Sequence, residues 1–308
     1  MKRTIAAIAI VFGTALLGGC RATELGNRAI IQAAAVNHEN GQYTVSALLF
    51  SSGGGSGGEI DPSNDNVIKV TGKGKTFAEA VDDISLTDGK EIYMSENRLL
   101  IVGDGFSEAD LSPVLETLAE DMKCSLSMPV CFADDPELLT DLRFTEGITA
   151  AEKPTDMIEN AFRAGSSPRA CLLDLLNDTA SGRETLLPMF SAENNGFGTT
   201  ADDSGMTAVL SGARVLSGGR LTRRLDSTET AGAMLLNGSS DRLLLTFTHG
   251  GKEHSCEAYC VKSQKLDTGE IRLTAKLRRR NGAPLPEELK EAALKELDRI
   301  VNSALTAE

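Results

Sequence analysis

Tryptophan is absent from this 308-residue chain, aromatic residues make up only 4%, and there are three histidines, His38, His249 and His254. With so few rings there is no stacking platform for sugars or bases. No H-E-x-x-H zinc helix is present, and the only G-x-S-x-G letters, Gly54 to Gly58, fall inside a Gly/Ser run rather than at a strand-to-helix elbow, so the common hydrolase and metalloprotease chemistries have no carrier. Dense positive charge is confined to residues 220–224 and 276–280 in a chain of net charge −13, which argues against a nucleic-acid partner. Long apolar runs are missing too. The N-terminal stretch 5–17 is uncharged for 13 residues, short of the ~20 that a membrane-spanning helix needs.

That short run has another use. Lys2 and Arg3 precede it, and it closes on Leu17, Gly18, Gly19 and Cys20. A positive start, a short apolar middle and small residues before a cysteine form a secretory signal. Leu at −3 with small residues at −2 and −1 is the recognition pattern of a lipoprotein signal peptidase. Residues 1–19 are therefore expected to be removed as a signal peptide, leaving Cys20 as the lipidated first residue of a domain held outside a membrane. Removing Lys2 and Arg3 from 31 basic residues leaves 29 against 44 acidic ones, a mature charge of −15. An acidic body is held off anionic headgroups, so the lipid on Cys20 is expected to supply the attachment.

Five further cysteines remain, Cys124, Cys131, Cys171, Cys256 and Cys260, an odd number that rules out a fully paired disulfide scaffold. His254, Cys256 and Cys260 have metal-like spacing, but on one strand face the two cysteines lie ~13 Å apart at ~3.3 Å per residue. A flat strand does not converge three ligands on a tetrahedral ion, so buried thiols are the reading and no metal is expected. Gly72-Lys73-Gly74-Lys75-Thr76 imitates a phosphate loop, yet Lys69 stands where the first glycine is required. No nucleotide and no other cofactor is expected. The carboxylate pairs Asp82-Asp83, Asp134-Asp135 and Asp202-Asp203 diverge as neighbours and read as solvated faces or caps.

Along the chain, a strand over 42–50 follows the apolar run 29–36. A Gly/Ser-rich segment, 51–58, then leads to a β-branched run at 66–71, which reads as a long loop between paired strands. Thr76 and Glu79 form a capping box, and Phe77, Ala80, Val81 and Ile84 share one helical face. Strands are expected over 99–102 and 129–133. Ser112-Pro113 opens a helix to Leu118, and Leu172, Leu173, Leu175 and Leu176 are expected in the core. The polar segment 194–205 is the expected domain boundary. Beyond it come strands at 207–216 and 221–225, and a helix capped by Asp226 and Glu229. Three strands follow, with Asp267-Thr268-Gly269 as a turn. A final helix from Pro286 has the stripe Leu289, Ala293, Leu297, Ile300, Val301 and Leu305, expected to pack on its own sheet. The fold class is α+β with several subdomains, mixed or antiparallel sheets and packed helices. The division is a signal peptide at 1–19, an N-terminal α+β region at 20–195 and a C-terminal α+β domain at 206–308. No assembled active site is legible, so a binding or assembly subunit is expected rather than an enzyme.

The order of these pieces resembles the Ger(x)C lipoproteins, the C subunits of spore germinant receptors. The resemblance lies in Cys20 with Glu24-Leu25 and Arg28-Ala29-Ile30-Ile31. It continues in Gly74-Lys75-Thr76-Phe77-Ala78-Glu79-Ala80, then in Ser95 followed by 99–102 and Gly103-Asp104. In the second half it lies in Gly212-Ala213-Arg214-Val215-Leu216, Leu225-Asp226 and Glu229-Thr230-Ala231-Gly232. Departures are Arg21-Ala22 where the family has Trp-Asp, Asn97 where it has a basic or aromatic residue, and an end at Glu308 where most members continue. The resemblance implies a Ger(x)C-type fold and a non-enzymatic lipoprotein on the outer face of the spore inner membrane. It would act with membrane-embedded A and B subunits in sensing nutrients. A solute-binding lipoprotein of a transport system is the alternative; it would favour two hinged α/β lobes with aromatic or charged ligand clamps.

Overall fold

A computed structural model of the protein describes residues 28–50, 67–137, 151–194, 206–265 and 271–306. Cys20 and its leader, the Gly/Ser segment and the turn at 267–269 lie outside the described residues. Two sheets organise the chain. The larger has nine strands in the order β3-β2-β1-β5-β6-β7-β8-β9, with β4 also on β1, and the smaller runs β10-β11-β12.

The large sheet grows outward from β1 (Arg28–Glu39). β1 pairs in parallel with β5 (Leu100–Val102), β5 with β6 (Val130–Ala133), and β6 with β7 (Thr185–Asn194). Antiparallel strands flank this centre: β2 (Gln42–Phe50) and β3 (Val67–Gly74) on one side, β8 (Met206–Ser217) and β9 (Arg220–Asp226) on the other. β4 (Glu91–Tyr93) runs parallel to the start of β1. Strands covered on both faces carry continuous rather than alternating apolar sequence. β5 and β6 are buried at every residue, as is β1 from Ile31 to Val36.

Helices supply that cover. α1 (Phe77–Asp88), α2 (Ser112–Glu116, continued by a π turn to Asp121) and α4 (Leu172–Ser181) lie over one face. α3 (Glu152–Arg163) brings Ile158 against Ala33, Ile101, Cys131 and Phe190 on the other. α1 buries Phe77, Ala80, Val81 and Ile84, the four residues its periodicity marks, with the Thr76 hydroxyl accepting the Glu79 amide at 3.1 Å. Two expectations shift. Leu111, not Ser112, occupies the cap position of α2, and the Asp110 carboxylate accepts the Ser112 amide at 2.8 Å. Leu173 is 42% exposed while Leu172 and Leu175 are fully buried, because α4 starts at Leu172 and a 100° step turns its second residue outward.

The segment read as a domain boundary connects two paired strands. β7 and β8 are antiparallel neighbours with Asn194 opposite Met206, so the large sheet continues through β9. The second body begins with α5 (Ser227–Leu236), capped by Asp226 and Glu229 in a reciprocal box. It holds β10 (Arg242–His249), β11 (Lys252–Lys265), β12 (Ile271–Arg278) and α6 (Glu287–Thr306). α6 packs Leu289, Ala293, Leu297, Ile300 and Val301 against this sheet and α5, with Ala304 taking the buried place expected of Leu305. The architecture is α+β with a mixed sheet.

Candidate functional site

Leu17, Gly18, Gly19 and Cys20 lie outside the described residues, so the geometry begins at β1. The sequence blocks that resemble a family have structural roles that can be read one by one. In the first, Gly72 and Gly74 lie where β3 presses on α1. A Cβ on Gly72 would come within 2.9 Å of the Ile84 amide nitrogen, and one on Gly74 within 2.7 Å of the Glu79 carbonyl carbon. Backbone atoms cannot rotate away, so glycine is the residue that permits this strand–helix approach. The amides that a phosphate loop would offer are taken by the protein itself: Lys73 donates to Asp83 at 2.9 Å and Lys75 to Glu79 at 2.8 Å. Close packing, with Thr76 as cap, accounts for these letters.

The second and third blocks meet across the sheet. Asp104 follows β5 and accepts hydrogen bonds from Ser107 at 3.1 Å and from Arg214 of β8 at 2.9 Å. Arg214 also donates to Ser107 at 2.7 Å. Its side chain is 11% exposed and its guanidinium carbon lies 5.4 Å from the centre of the Phe132 ring. Arg224 of β9 stands on the same ring at 5.9 Å and pairs with Asp134, just past β6. Asp104 and Asp134 thus mark the ends of adjacent parallel strands, each tied by an arginine to the β8–β9 pair. Gly212 sits at φ +145°, and a Cβ there would approach the Asp226 carbonyl carbon to 3.0 Å. This network escaped sequence reading: an Asp after each apolar run was visible, but its partner lies some 90 to 110 residues away.

At the other ends of β5 and β6, where the chain enters these strands, lies a cleft of about 340 Å³, whose lining includes Asn97, Arg98, Ser127, Thr155 and Asp156. Asn97, one of the departures noted above, is 2% exposed, and among the described residues neither its carboxamide oxygen nor its nitrogen has a hydrogen-bond partner. The Asn97 amide donates to Met94, and the Arg98 amide donates to Gln32 of β1, which fixes the turn.

The cysteines are free and do not assemble a reactive centre among the described residues. Burial pushes the Cys124 thiol up to about 12 and the Cys256 thiol up to about 11, and it raises Cys131 further. Cys171 is raised by burial and by donating to the Asp174 carboxylate at 3.0 Å. All four therefore stay protonated at neutral pH and are poor nucleophiles. Cys256 is buried as expected, but Cys260 is exposed at φ +52°, inside a β-bulge between Tyr259 and Lys262. The extra residue takes Cys260 out of phase, so the two cysteines do not share the face assumed from strict alternation. Among the described residues no group of three His, Cys, Asp or Glu could hold a metal ion, and no helix is long and apolar enough to cross a membrane.

The family model described as the spore germination protein N-terminal domain matches residues 21–192. The chain belongs to the spore germination protein family. That match starts one residue after Cys20 and ends in β7, so it takes in the Gly74 block, the Asp104 block and the Asn97 cleft. Among solved structures, one described as the crystal structure of the GerBC protein is similar over 88% of this chain and 80% of its own. Its TM-score is 0.47 at 16% identity. No curated protein sequence matches the chain.

Proposed function

We propose that this chain is the lipid-anchored C subunit of a spore nutrient germinant receptor, acting with membrane-embedded A and B subunits at the spore inner membrane. One observation carries the reading: a spore germination domain that starts at residue 21, directly behind a lipoprotein cleavage pattern ending at Cys20. Diacylglycerol on the Cys20 sulfur would hold an acidic body on the outer face of the bilayer. Its role there is non-enzymatic: the Asp104–Arg214 and Asp134–Arg224 ties make a framework that presents surface to neighbouring subunits.

The reading is tested in spores. Deleting the gene should abolish the response to at least one nutrient while leaving germination by non-nutrient triggers intact, and Cys20→Ala should reproduce that loss with the protein in the soluble fraction. An unchanged response to every nutrient, with no redundant paralogue, refutes the receptor role. Loss of uptake of one solute, with germination intact, would favour a transport lipoprotein instead.

A further inference from the structure

The two basic runs of the sequence end in opposite electrostatic states. In the first, Arg223 bonds Glu184 at 2.8 Å and Arg224 bonds Asp134, so carboxylates neutralise its centre. The second lies in the small sheet, where α5 and α6 cover one face and, among the described residues, no helix covers the other. Leu243, Leu245, Phe247, Cys256, Ala258 and Val261 point into that core. Arg242, Lys262, Arg272, Lys276 and Arg278 alternate with the core residues and so point outward.

The bulge at Cys260 brings Lys262 into line with the others. By absorbing one residue it keeps Val261 inward and Lys262 outward, on the side of Tyr259, which lies between Arg242 and Lys276 across the sheet. Of the carboxylates on this face, Glu257 is held by Arg278 at 2.7 Å, and that hydrogen bond, then the charge of Arg278 and Arg242, keep its pKa below the usual range. Glu253 stands at the far end, opposite Thr248. Among the described residues Lys262, Arg272 and Lys276 have no carboxylate partner, and neither do Arg279 and Arg280 in the turn that follows. All five are exposed. A cluster of open cations on a chain of net charge −13 is a local reversal of sign.

We propose that this face of the small sheet binds anionic phospholipid headgroups and so lays the second body against the bilayer. The charge complementarity names the partner: the open side chains of Lys262, Arg272 and Lys276 on the outer face of β11 and β12, with Arg279 and Arg280 in the adjoining turn, match a plane of phosphates, and the half-exposed Tyr259 ring suits the interface. An acyl anchor and a polybasic surface together give firm attachment where either is weaker alone. The idea rests on the membrane placement proposed above, and it corrects the view that the acidic body is held off the headgroups throughout.

The test uses the full chain carrying Cys20→Ala, mixed with vesicles of phosphatidylglycerol and phosphatidylcholine, or of phosphatidylcholine alone, and separated by flotation. Binding should require the anionic lipid and weaken as salt rises. Lys276→Glu, Arg279→Glu and Arg280→Glu together should lower it by about 100-fold, at about five-fold per cation removed. Lys75→Glu, Lys90→Glu and Arg220→Glu change the net charge equally but lie off this face, and should lose far less. Binding that ignores lipid charge, or an equal loss in both triple variants, overturns the proposal. So would undiminished vesicle binding by the first triple variant together with loss of its association with the A or B subunit, which would make the occupant an acidic protein. The assay involves no spores, so its failure would leave the germination reading standing, and a spore experiment that failed would leave this result untouched.

Discussion

Replacing Gly232 with alanine sets two effects of opposite sign against each other. Gly232 lies inside α5, where alanine is the better helix former by about 1 kcal/mol. At this position α5 crosses α6. A Cβ would stand within 2.9 Å of the Ala304 Cβ, 3.1 Å from the Ile300 carbonyl carbon and closer still to its oxygen. Carbon contacts are comfortable from about 3.5 Å, so α6 would have to retreat by at least about 0.5 Å. A gap of that size forfeits a quarter or more of the dispersion energy between the parted surfaces. Here those surfaces include Leu235, Leu297, Ile300 and Val301, all buried. Overpacking of this kind costs about 1–3 kcal/mol, and because the obstruction is backbone no rotamer change relieves it. We expect Gly232→Ala to destabilise by about 1 kcal/mol net, with the midpoint of thermal unfolding lower by about 3 °C, and Gly232→Val to cost more. The absence of tryptophan makes far-UV circular dichroism in urea the natural readout. If Gly232→Ala is as stable as the parent, or more stable, the helix crossing is looser than described and the argument for this glycine fails.

Other expectations follow from the same geometry. Buried Cys124, Cys131 and Cys256 are held protonated while an unfolded thiol ionises near about 8.5. The unfolded state then binds fewer protons, so stability should fall as pH rises through that value, the slope approaching about 1.4 kcal/mol per thiol per pH unit about a unit above it. Cys131→Ala should flatten that slope by about a third in denaturation between pH 8.5 and 10; an unchanged slope would contradict it. Asn97→Leu removes a buried carboxamide that has no partner among the described residues and should raise stability by about 1–2 kcal/mol, read as a later urea midpoint; a loss instead would mean the carboxamide is satisfied in solution. Arg214→Ala should cost several times more than Arg224→Ala, because Arg214 is 11% exposed and Arg224 47%. The half-exposed pair should be worth under about 1 kcal/mol, and equal losses would show that burial does not separate the two.

Local physical chemistry was enough to place most elements. The capping oxygens of Thr76 and Asp226, the 3.6-residue stripes of α1 and α6, and the alternation in β10 and β12 act over one or two turns, and each element formed where they pointed. The family resemblance was legible for the same reason, since its blocks are turns, caps and close-contact glycines with local signatures. Sheet order is a different kind of quantity. That β1 sits beside β5 at the centre, that β7 and β8 pair across the segment read as a domain boundary, and that Asp104 and Asp134 find Arg214 and Arg224 are decided by pairings between residues far apart in the chain. No local propensity encodes them. The bulge at Cys260 is the smallest instance. Strict alternation would put Cys260 on the face of Cys256, but the demand that Val261 reach the core outweighs it, and one residue of slack sets Lys262 on the side of Arg272 and Lys276. The sequence alone determined most of the elements, though not β4 or β7, and the pattern at Cys20 from which an anchor is read. Only the tertiary structure decided which charges are neutralised and which remain open, because a charge is cancelled by whatever the fold brings beside it.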